Sequence, residues 1–305
     1  MRWDRFRRSD NIEDNREGGG GFRRGGMGIP VGRGGLGIGT VIILGLIGWA
    51  LGIDPSVLIG GAEILSGGGQ SYQQPYREPA QRIGKPTDRT GDFVAAVLGN
   101  TEDVWGGIFR ANGRQYRPAP IRLYRGGEQG GCGFASAAMG PFYCPRDQRI
   151  YLDTSFFGEL RERFRGCTGK ACDFAQAYVI AHEVGHHVQD LLGVLPKAHS
   201  AQRAAGSRAA ANRIQVMVEL QADCLAGVWA HHSDQRWDTL EPGDVEAALQ
   251  TAAAIGDDRL QKQSRGYVVP DSFTHGSSAQ RQRWFTRGLK EGKVSSCDTF
   301  GAASL

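Results

Sequence analysis

The feature that most constrains this fold is a pair of histidines in an apolar stretch. Residues 177–190 include His182-Glu183-x-x-His186. Residues four apart share a helix face with Cβ atoms about 5–6 Å apart, so both imidazoles can reach one Zn²⁺ ion. Glu183 lies about 100° further round the helix, where its carboxylate can act as general base on metal-activated water. The spacing predicts a catalytic zinc helix; an amphipathic core helix with surface histidines is the alternative.

A third zinc ligand is expected downstream, because catalytic zinc sites use three protein ligands and water. Glu219 and Asp223 share one face of an apolar helix predicted over residues 207–232. Glu219 is the predicted third ligand, and Asp223 is predicted to accept the second N–H of a ligating imidazole. A solvated acidic edge is one alternative, and ligation by His231 or His232 is another.

The front of the chain is predicted to lie outside the catalytic domain. Residues 1–35 mix arginine with glycine and lack apolar periodicity, which indicates a disordered tail. Residues 34–53 carry no charge, and a helix of that length rises about 30 Å, so residues 36–53 are predicted to span a membrane. Residues 54–90 are typical of a flexible linker. The catalytic domain is expected over 91–305.

Charge patterning predicts the orientation of that anchor. Arginines precede the span, so the positive-inside rule places the amino terminus in the cytoplasm and the catalytic domain outside, in the periplasm or the extracellular space. A cleaved signal peptide is the alternative. The net charge is +4, of which residues 1–35 contribute +3, eight Arg against five Asp or Glu. The balanced remainder argues against nucleic-acid binding, although Arg-Gly tails that bind RNA look similar.

The cysteines predict disulfide bonds. All six follow the apolar segment, as expected of a domain in an oxidising compartment. Six cysteines allow 15 pairings. Short loops favour Cys132 with Cys144 and Cys167 with Cys172, which leaves Cys224 and Cys297. Buried free thiols are the alternative.

Hydrophobic periodicity predicts a mainly helical α+β domain with a small antiparallel sheet. Alternating residues 121–124 and 149–153 are the predicted strands. The small-residue stretch 133–140 is predicted as an edge strand that could pair with an extended substrate, with plain structural pairing as the alternative. Predicted helices cover residues 93–108 with a break at 99–101, 156–164, from about 171 onwards, 244–260 and 277–289. Residues 193–206 are predicted to form a surface loop.

Four motifs resemble one family, the bacterial neutral zinc metallopeptidases. They are His182-Glu183-Val184-Gly185-His186-His187, Glu219-x-x-Ala222-Asp223, Gly140-Pro141-Phe142-Tyr143-Cys144-Pro145 and Phe273-Thr274-His275-Gly276-Ser277-Ser278-x-Gln280-Arg281. The resemblance covers roughly residues 90–300. It implies a zincin-like fold with a glutamate third ligand, and many members look membrane-anchored. It implies no substrate.

The functional expectation is a membrane-anchored zinc metallopeptidase that cleaves a peptide or protein substrate. One Zn²⁺ would be held by His182, His186 and Glu219, with Glu183 as general base. His275, just before a predicted helix N-cap, is predicted to donate a hydrogen bond to the developing oxyanion, with a packing role as the alternative. The competing functions are a non-catalytic, zinc-stabilised envelope scaffold, a hydrolase of a non-peptide amide, and a latent protease whose 193–206 loop covers the cleft.

Overall fold

The computed structural model describes residues 1–16, 86–136, 139–162 and 167–305. The helices are α1 (Arg89–Ala111), α2 (Phe156–Glu162), α3 (Cys172–Leu191), α4 (Val194–Ala204), α5 (Arg208–Trp237), α6 (Asp244–Ala254), α7 (Asp257–Arg265) and α8 (Ser278–Glu291). The strands are β1 (Ile12–Asp14), β2 (Ile121–Tyr124), β3 (Gly127–Gly130), β4 (Gly133–Ser136), β5 (Phe142–Cys144) and β6 (Arg149–Asp153). The described part is therefore mainly helical with small sheets, consistent with the predicted α+β class.

The helical core is built on α5, which packs against α8 and α3. Phe174 of α3 stacks on Trp229 of α5 with ring centroids 6.0 Å apart, and Tyr178 meets Phe285 of α8 edge to face at 5.2 Å. All four rings are fully buried. Burying each such side chain stabilises the fold by about 1.5–3 kcal/mol, so these contacts fix the spacing of the three helices that carry the candidate site.

Side-chain caps set where α5 and α8 begin. The Ser207 hydroxyl accepts a hydrogen bond from the Ala210 N–H at the start of α5. Ser277 and Gln280 form a capping box at the start of α8, each side chain bonding the other's backbone N–H. Such caps are worth about 0.5–2 kcal/mol each. The N-cap predicted at Ser277 is confirmed.

The main sheet is mostly parallel. Its strand order is β1-β2-β6-β5, with β1, β2 and β6 parallel and β5 antiparallel to β6. A separate hairpin joins β3 to β4. The predicted small antiparallel sheet is therefore wrong for the main sheet. It was wrong because the two predicted strands, β2 and β6, pair parallel to each other, and β1, from residues predicted to be a tail, adds a second parallel pair.

The strand beside the metal helix also differs from the prediction. Within 133–140, strand β4 ends at Ser136 and pairs with β3. The strand that packs on α3 is β5 (Phe142–Cys144), the last strand of the main sheet. Since β5 is at the sheet edge, it occupies the position for which 133–140 had been proposed.

The amino-terminal segment, residues 1–16, folds onto the helical core. Met1, Trp3, Phe6 and Ile12 are each at most 5% exposed. Trp3 packs edge to face on Phe93 of α1 at 5.4 Å. These apolar anchors compensate the entropy of ordering the segment, so the tail predicted to be disordered is folded over residues 1–16. Residues 17–35 lie outside the described residues.

Ion pairs hold the same segment to α1. Arg8 forms two hydrogen bonds with the Asp92 carboxylate, at 2.8 and 2.7 Å. Arg7 lies 2.7 Å from the buried Glu102 carboxylate, whose other oxygen accepts from Ser9. The arginines that suggested a solvated tail are therefore partners of acidic side chains on the folded domain.

The single-pass membrane topology is contradicted. Across residues 1–16, 86–136, 139–162 and 167–305, no helix has the length and apolar composition to cross a bilayer. The predicted span, 36–53, lies outside these residues. Residues 1–16 and the helical core belong to one compact unit. The prediction of a cytoplasmic amino terminus and an extracytoplasmic domain depended on that topology and is not supported either.

Three helix predictions also need correction. Residues 193–206 are mostly helix α4, which tolerates Pro196 because proline is compatible with a first helical turn. Helix α1 has no break at 99–101, since the side-chain oxygen Oδ1 of Asn100 accepts a hydrogen bond from Trp229 Nε1 instead of capping a helix. The helix predicted over 244–260 is interrupted at Gly256 and forms α6 and α7.

The predicted disulfides are confirmed. Cys132–Cys144, Cys167–Cys172 and Cys224–Cys297 are bonded. The third joins α5 to the 3-10 turn that follows α8, and so connects helices that flank the candidate site.

Candidate metal centre

Helices α3 and α5 bring three metal-ligating side chains together. His182, His186 and Glu219 each offer an atom within 4.8 Å of the others. Glu219 Oε2 lies 3.2 Å from His182 Nε2 and 3.5 Å from His186 Nε2. A tetrahedral zinc ion about 2.1 Å from each ligand separates ligand atoms by about 3.4 Å. The two distances from the oxygen to the nitrogens therefore match those around one zinc ion, and two imidazole nitrogens and a carboxylate oxygen are donors that zinc takes.

A glycine in the motif lets the two helices approach. A Cβ built on Gly185 would lie 3.0 Å from the Ala222 carbonyl oxygen on α5. Gly185 lies between the two motif histidines on α3, and Ala222 lies between Glu219 and Asp223 on α5. The two helices therefore touch at the same level along their length as the ligands. A larger residue at position 185 would push Glu219 away from the imidazoles.

His182 is held by a carboxylate behind it. Its Nδ1 lies 2.8 Å from Asp223 Oδ1, which fixes the ring with Nε2 facing Glu219. Burial lowers the pKa of His182, but Asp223 and Glu219 raise it by more, to about 10. Both carboxylates thus favour a positive charge at the His182 ring. Either a proton or a metal ion can supply that charge.

Asp223 is completely buried and held by two groups that the sequence pattern did not predict. Arg281 of α8 donates two hydrogen bonds to it, both at 2.8 Å, and the Tyr178 hydroxyl donates a third at 2.6 Å. Burial raises the pKa of Asp223, but the charges of Arg281 and His182 outweigh this and hold that pKa well below its usual range. Arg281 lies within a motif quoted for the family resemblance, and only the packing of α8 on α5 shows its role.

The other two ligands have amide partners. His186 Nδ1 lies 2.8 Å from Gln189 Oε1, and the amide nitrogen of Gln189 donates to the Val218 carbonyl on α5. Gln215 donates to Glu219 Oε1 at 2.8 Å. Burial raises the pKa of Glu219, but the charge of His186 and hydrogen bonds from both histidines lower it well below normal. Each of the three ligands thus has one further side chain that orients it.

Glu183 is buried on the same helix without being part of the ligand cluster. Burial raises its pKa, while the nearby imidazoles and a backbone hydrogen bond from Tyr143 of β5 lower it by less. A carboxylate with a raised pKa takes up a proton more readily at neutral pH, as a general base must.

His275 lies in the loop before α8, and half of its side chain is exposed. Its Nδ1 is 3.3 Å from Asp257 Oδ1, and Asp257 Oδ2 accepts the backbone N–H groups of Thr274, His275 and Gly276. The charge of His275 also lowers the pKa of Glu219, so the ring lies within electrostatic reach of the site. Asp257, which fixes this loop, was missed because it is 18 residues away in sequence.

The alternative ligands are directed elsewhere. His231 Nδ1 bonds the Leu289 carbonyl, and His232 Nε2 bonds the Gly292 carbonyl, both near the end of α8. Neither belongs to the cluster found among the described residues.

Comparison with known proteins agrees with this donor set. A family profile described as "Putative neutral zinc metallopeptidase" matches residues 1–300. The chain belongs to this family. It is 47% identical over 303 residues to the uncharacterized protein YpfJ of Escherichia coli, covering 99% of each chain. It is 41% identical over 267 residues to the uncharacterized proteins Mb2605 of Mycobacterium bovis and Rv2575 of Mycobacterium tuberculosis, covering 84% of this chain and 85% of theirs.

No solved structure matches the chain. The family name implies zinc, and the one cluster of suitable ligands in the described residues has the composition that zinc requires. The matched residues include 1–16, which pack on the helical core.

Proposed function

We propose that this protein is a zinc-dependent peptidase that hydrolyses peptide bonds of a peptide or protein substrate. The observation that carries the proposal is that His182 and His186 of α3 converge with Glu219 of α5, while the buried Glu183 lies on the same helix as the two histidines. When bound there, zinc supplies a Lewis acid that polarises a carbonyl and lowers the pKa of water.

In this proposal, Glu183 carries the proton transfers. Its carboxylate takes a proton from the attacking water and delivers one to the leaving amine. The raised pKa of Glu183 supports this assignment, and the backbone N–H of Tyr143 keeps the carboxylate next to β5. Asp223 and Arg281 do not touch substrate; they hold the His182 ring in place.

Two further elements are assigned to the substrate. Strand β5 is the edge strand beside α3, so an extended peptide can add to the sheet there by backbone pairing. His275, held by Asp257, is assigned as a hydrogen-bond donor to the scissile carbonyl oxygen as it gains negative charge.

The test is the Glu183→Gln variant. We expect it to retain zinc, because Glu183 is not in the ligand cluster, and to lose turnover of an unfolded protein substrate by about 10²–10⁴-fold, the usual contribution of a general base. Zinc content is measured by metal analysis and cleavage by release of peptides.

Two outcomes would count against the proposal. Cleavage by Glu183→Gln at the wild-type rate would remove Glu183 as the base. Wild-type protein that binds zinc without cleaving peptides would favour a zinc-stabilised scaffold, and cleavage of envelope-derived amides in place of peptides would favour the non-peptide hydrolase.

A further inference from the structure

Two glutamine side chains connect helix α4 to the carboxylate of Glu219. Gln202 Nε2 of α4 donates to Gln215 Oε1 at 2.8 Å, and Gln215 Nε2 donates to Glu219 Oε1 at 2.8 Å. The other carboxylate oxygen, Oε2, faces the two imidazoles. The two oxygens of Glu219 therefore have separate partners.

The direction of this chain of hydrogen bonds is determined by its ends. A ligating carboxylate only accepts hydrogen bonds, so Gln215 must present its NH₂ group to Glu219 and point its carbonyl oxygen away. That carbonyl oxygen needs a donor, which the NH₂ group of Gln202 supplies. If Gln202 offered an acceptor, Gln215 would rotate its amide to satisfy it and would turn a carbonyl oxygen towards the carboxylate.

Helix α4 has few other means of fixing its position. Its buried side chains are Leu195 and Ala198, and the remainder of the helix is partly or fully exposed. It packs on α3 and α5. The contact of Gln202 with Gln215 is a polar link between this peripheral helix and the candidate metal centre.

We propose that Gln202 and Gln215 are positioning residues for the metal: the amide relay holds Glu219 with one oxygen towards His182 and His186, so that the docking of α4 sets the affinity for zinc. The inference rests on the proposed zinc site but not on the proposed reaction. Neither glutamine touches the metal or the substrate.

The decisive experiment exchanges donor and acceptor at position 202 in the full chain. Zinc affinity is measured at pH 7 by competition with a chromophoric chelator, for the wild type, Gln202→Glu and Gln202→Lys. Glutamate at that pH only accepts, whereas lysine only donates. The relay predicts that Gln202→Glu weakens zinc binding by about 10-fold, as loss of an outer partner does. It predicts that Gln202→Lys stays within about twofold of the wild type.

Long-range electrostatics predicts the opposite order. An added negative charge would tighten binding of a cation, and an added positive charge would weaken it. Arg203→Gln, at the exposed neighbouring residue, lowers the net charge by the same amount as Gln202→Glu without touching the relay. We expect this control to bind zinc like the wild type or slightly more tightly. Gln215→Met, which keeps the side-chain length and removes the amide, should weaken binding by about 10-fold.

The outcomes separate the inference from the proposed function. Wild-type protein that binds no zinc would overturn both. Normal wild-type binding with unchanged affinity in Gln202→Glu and Gln215→Met would overturn the relay alone. Tighter binding by Gln202→Glu together with weaker binding by Gln202→Lys would also overturn it, in favour of a charge effect. Thermal unfolding of each variant shows whether it is folded at the assay temperature.

Discussion

Replacing Gly288 of α8 with alanine should destabilise the protein, because α8 lies directly against the backbone of α5 there. A Cβ on Gly288 would be 1.9 Å from the Cys224 carbonyl oxygen and 2.9 Å from the Val228 nitrogen. Ordinary contact begins at 3.4 Å, so the helices would have to separate by about 1.5 Å at this point. Gly227 of α5 faces α8 in the same way, since a Cβ built on it would lie 2.2 Å from the Phe285 carbonyl oxygen.

The magnitude follows from two opposing effects. Overpacking a well-packed interface costs about 1–3 kcal/mol, and the upper end applies because the obstructing atoms are backbone. Alanine stabilises a helix by about 1 kcal/mol relative to glycine, which offsets part of this cost. The net loss in the free energy of unfolding is therefore about 2 kcal/mol, which lowers the Tm of a domain of this size by about 4–8 °C.

Gly107 provides the matched control. It lies inside α1, and a Cβ there meets nothing within 4 Å. Gly107→Ala should raise the free energy of unfolding by about 0.5–1 kcal/mol through helix propensity alone. Urea unfolding of both variants, with the midpoint and the slope compared with the wild type, measures the difference.

The same displacement should reach the metal centre. Arg281 lies two turns before Gly288 on α8 and contacts Asp223, next to Cys224 on α5. Separation of the helices would lengthen these hydrogen bonds, so zinc affinity should fall in Gly288→Ala and not in Gly107→Ala. Equal stability of Gly288→Ala and the wild type, or the same response at both glycines, would refute the close packing on which the reasoning depends.

Two further predictions concern charged groups. Asp223→Asn should lower zinc affinity by about 10–100-fold, as loss of a partner of a ligating histidine does; chelator competition measures it, and unchanged affinity would contradict the role of Asp223. Arg8 lowers the pKa of Asp92 below its ordinary value, so this ion pair stabilises the folded state above pH 4 and its contribution is lost as the pH falls through the lowered pKa. The free energy of unfolding, measured in urea at several pH values, should therefore fall below pH 4 by more in the wild type than in Asp92→Asn, and an equal fall in the variant would exclude this pair as a cause.

The sequence predicted the parts of the site that depend on local periodicity. His182, His186, Glu219 and Asp223 fall on two helix faces because residues four apart face the same way. The structure brings these four residues together. Arg281 was not assigned a role, because its contact with Asp223 depends on how α8 packs across α5. Short-range sequence patterns do not predict how two helices pack.

The amino-terminal segment shows where composition misleads. Arginine and glycine suggested disorder, yet Trp3, Phe6 and Ile12 are buried and Arg8 pairs with α1. The apolar residues were visible in the sequence, but their partners lie about 90 or more residues away. Helix α4 was missed for a different reason, since Pro196 stops a helix in its interior but not in its first turn.

Strand β1 has a consequence for how the protein is made. Ile12 pairs with Ile121, more than 100 residues later, and Arg2 donates its backbone N–H to the Thr239 carbonyl. Contacts so distant in sequence slow folding, because a long loop must close before they form. Residues 2 and 12 must therefore wait, without these partners, until residues 239 and 121 have been synthesised.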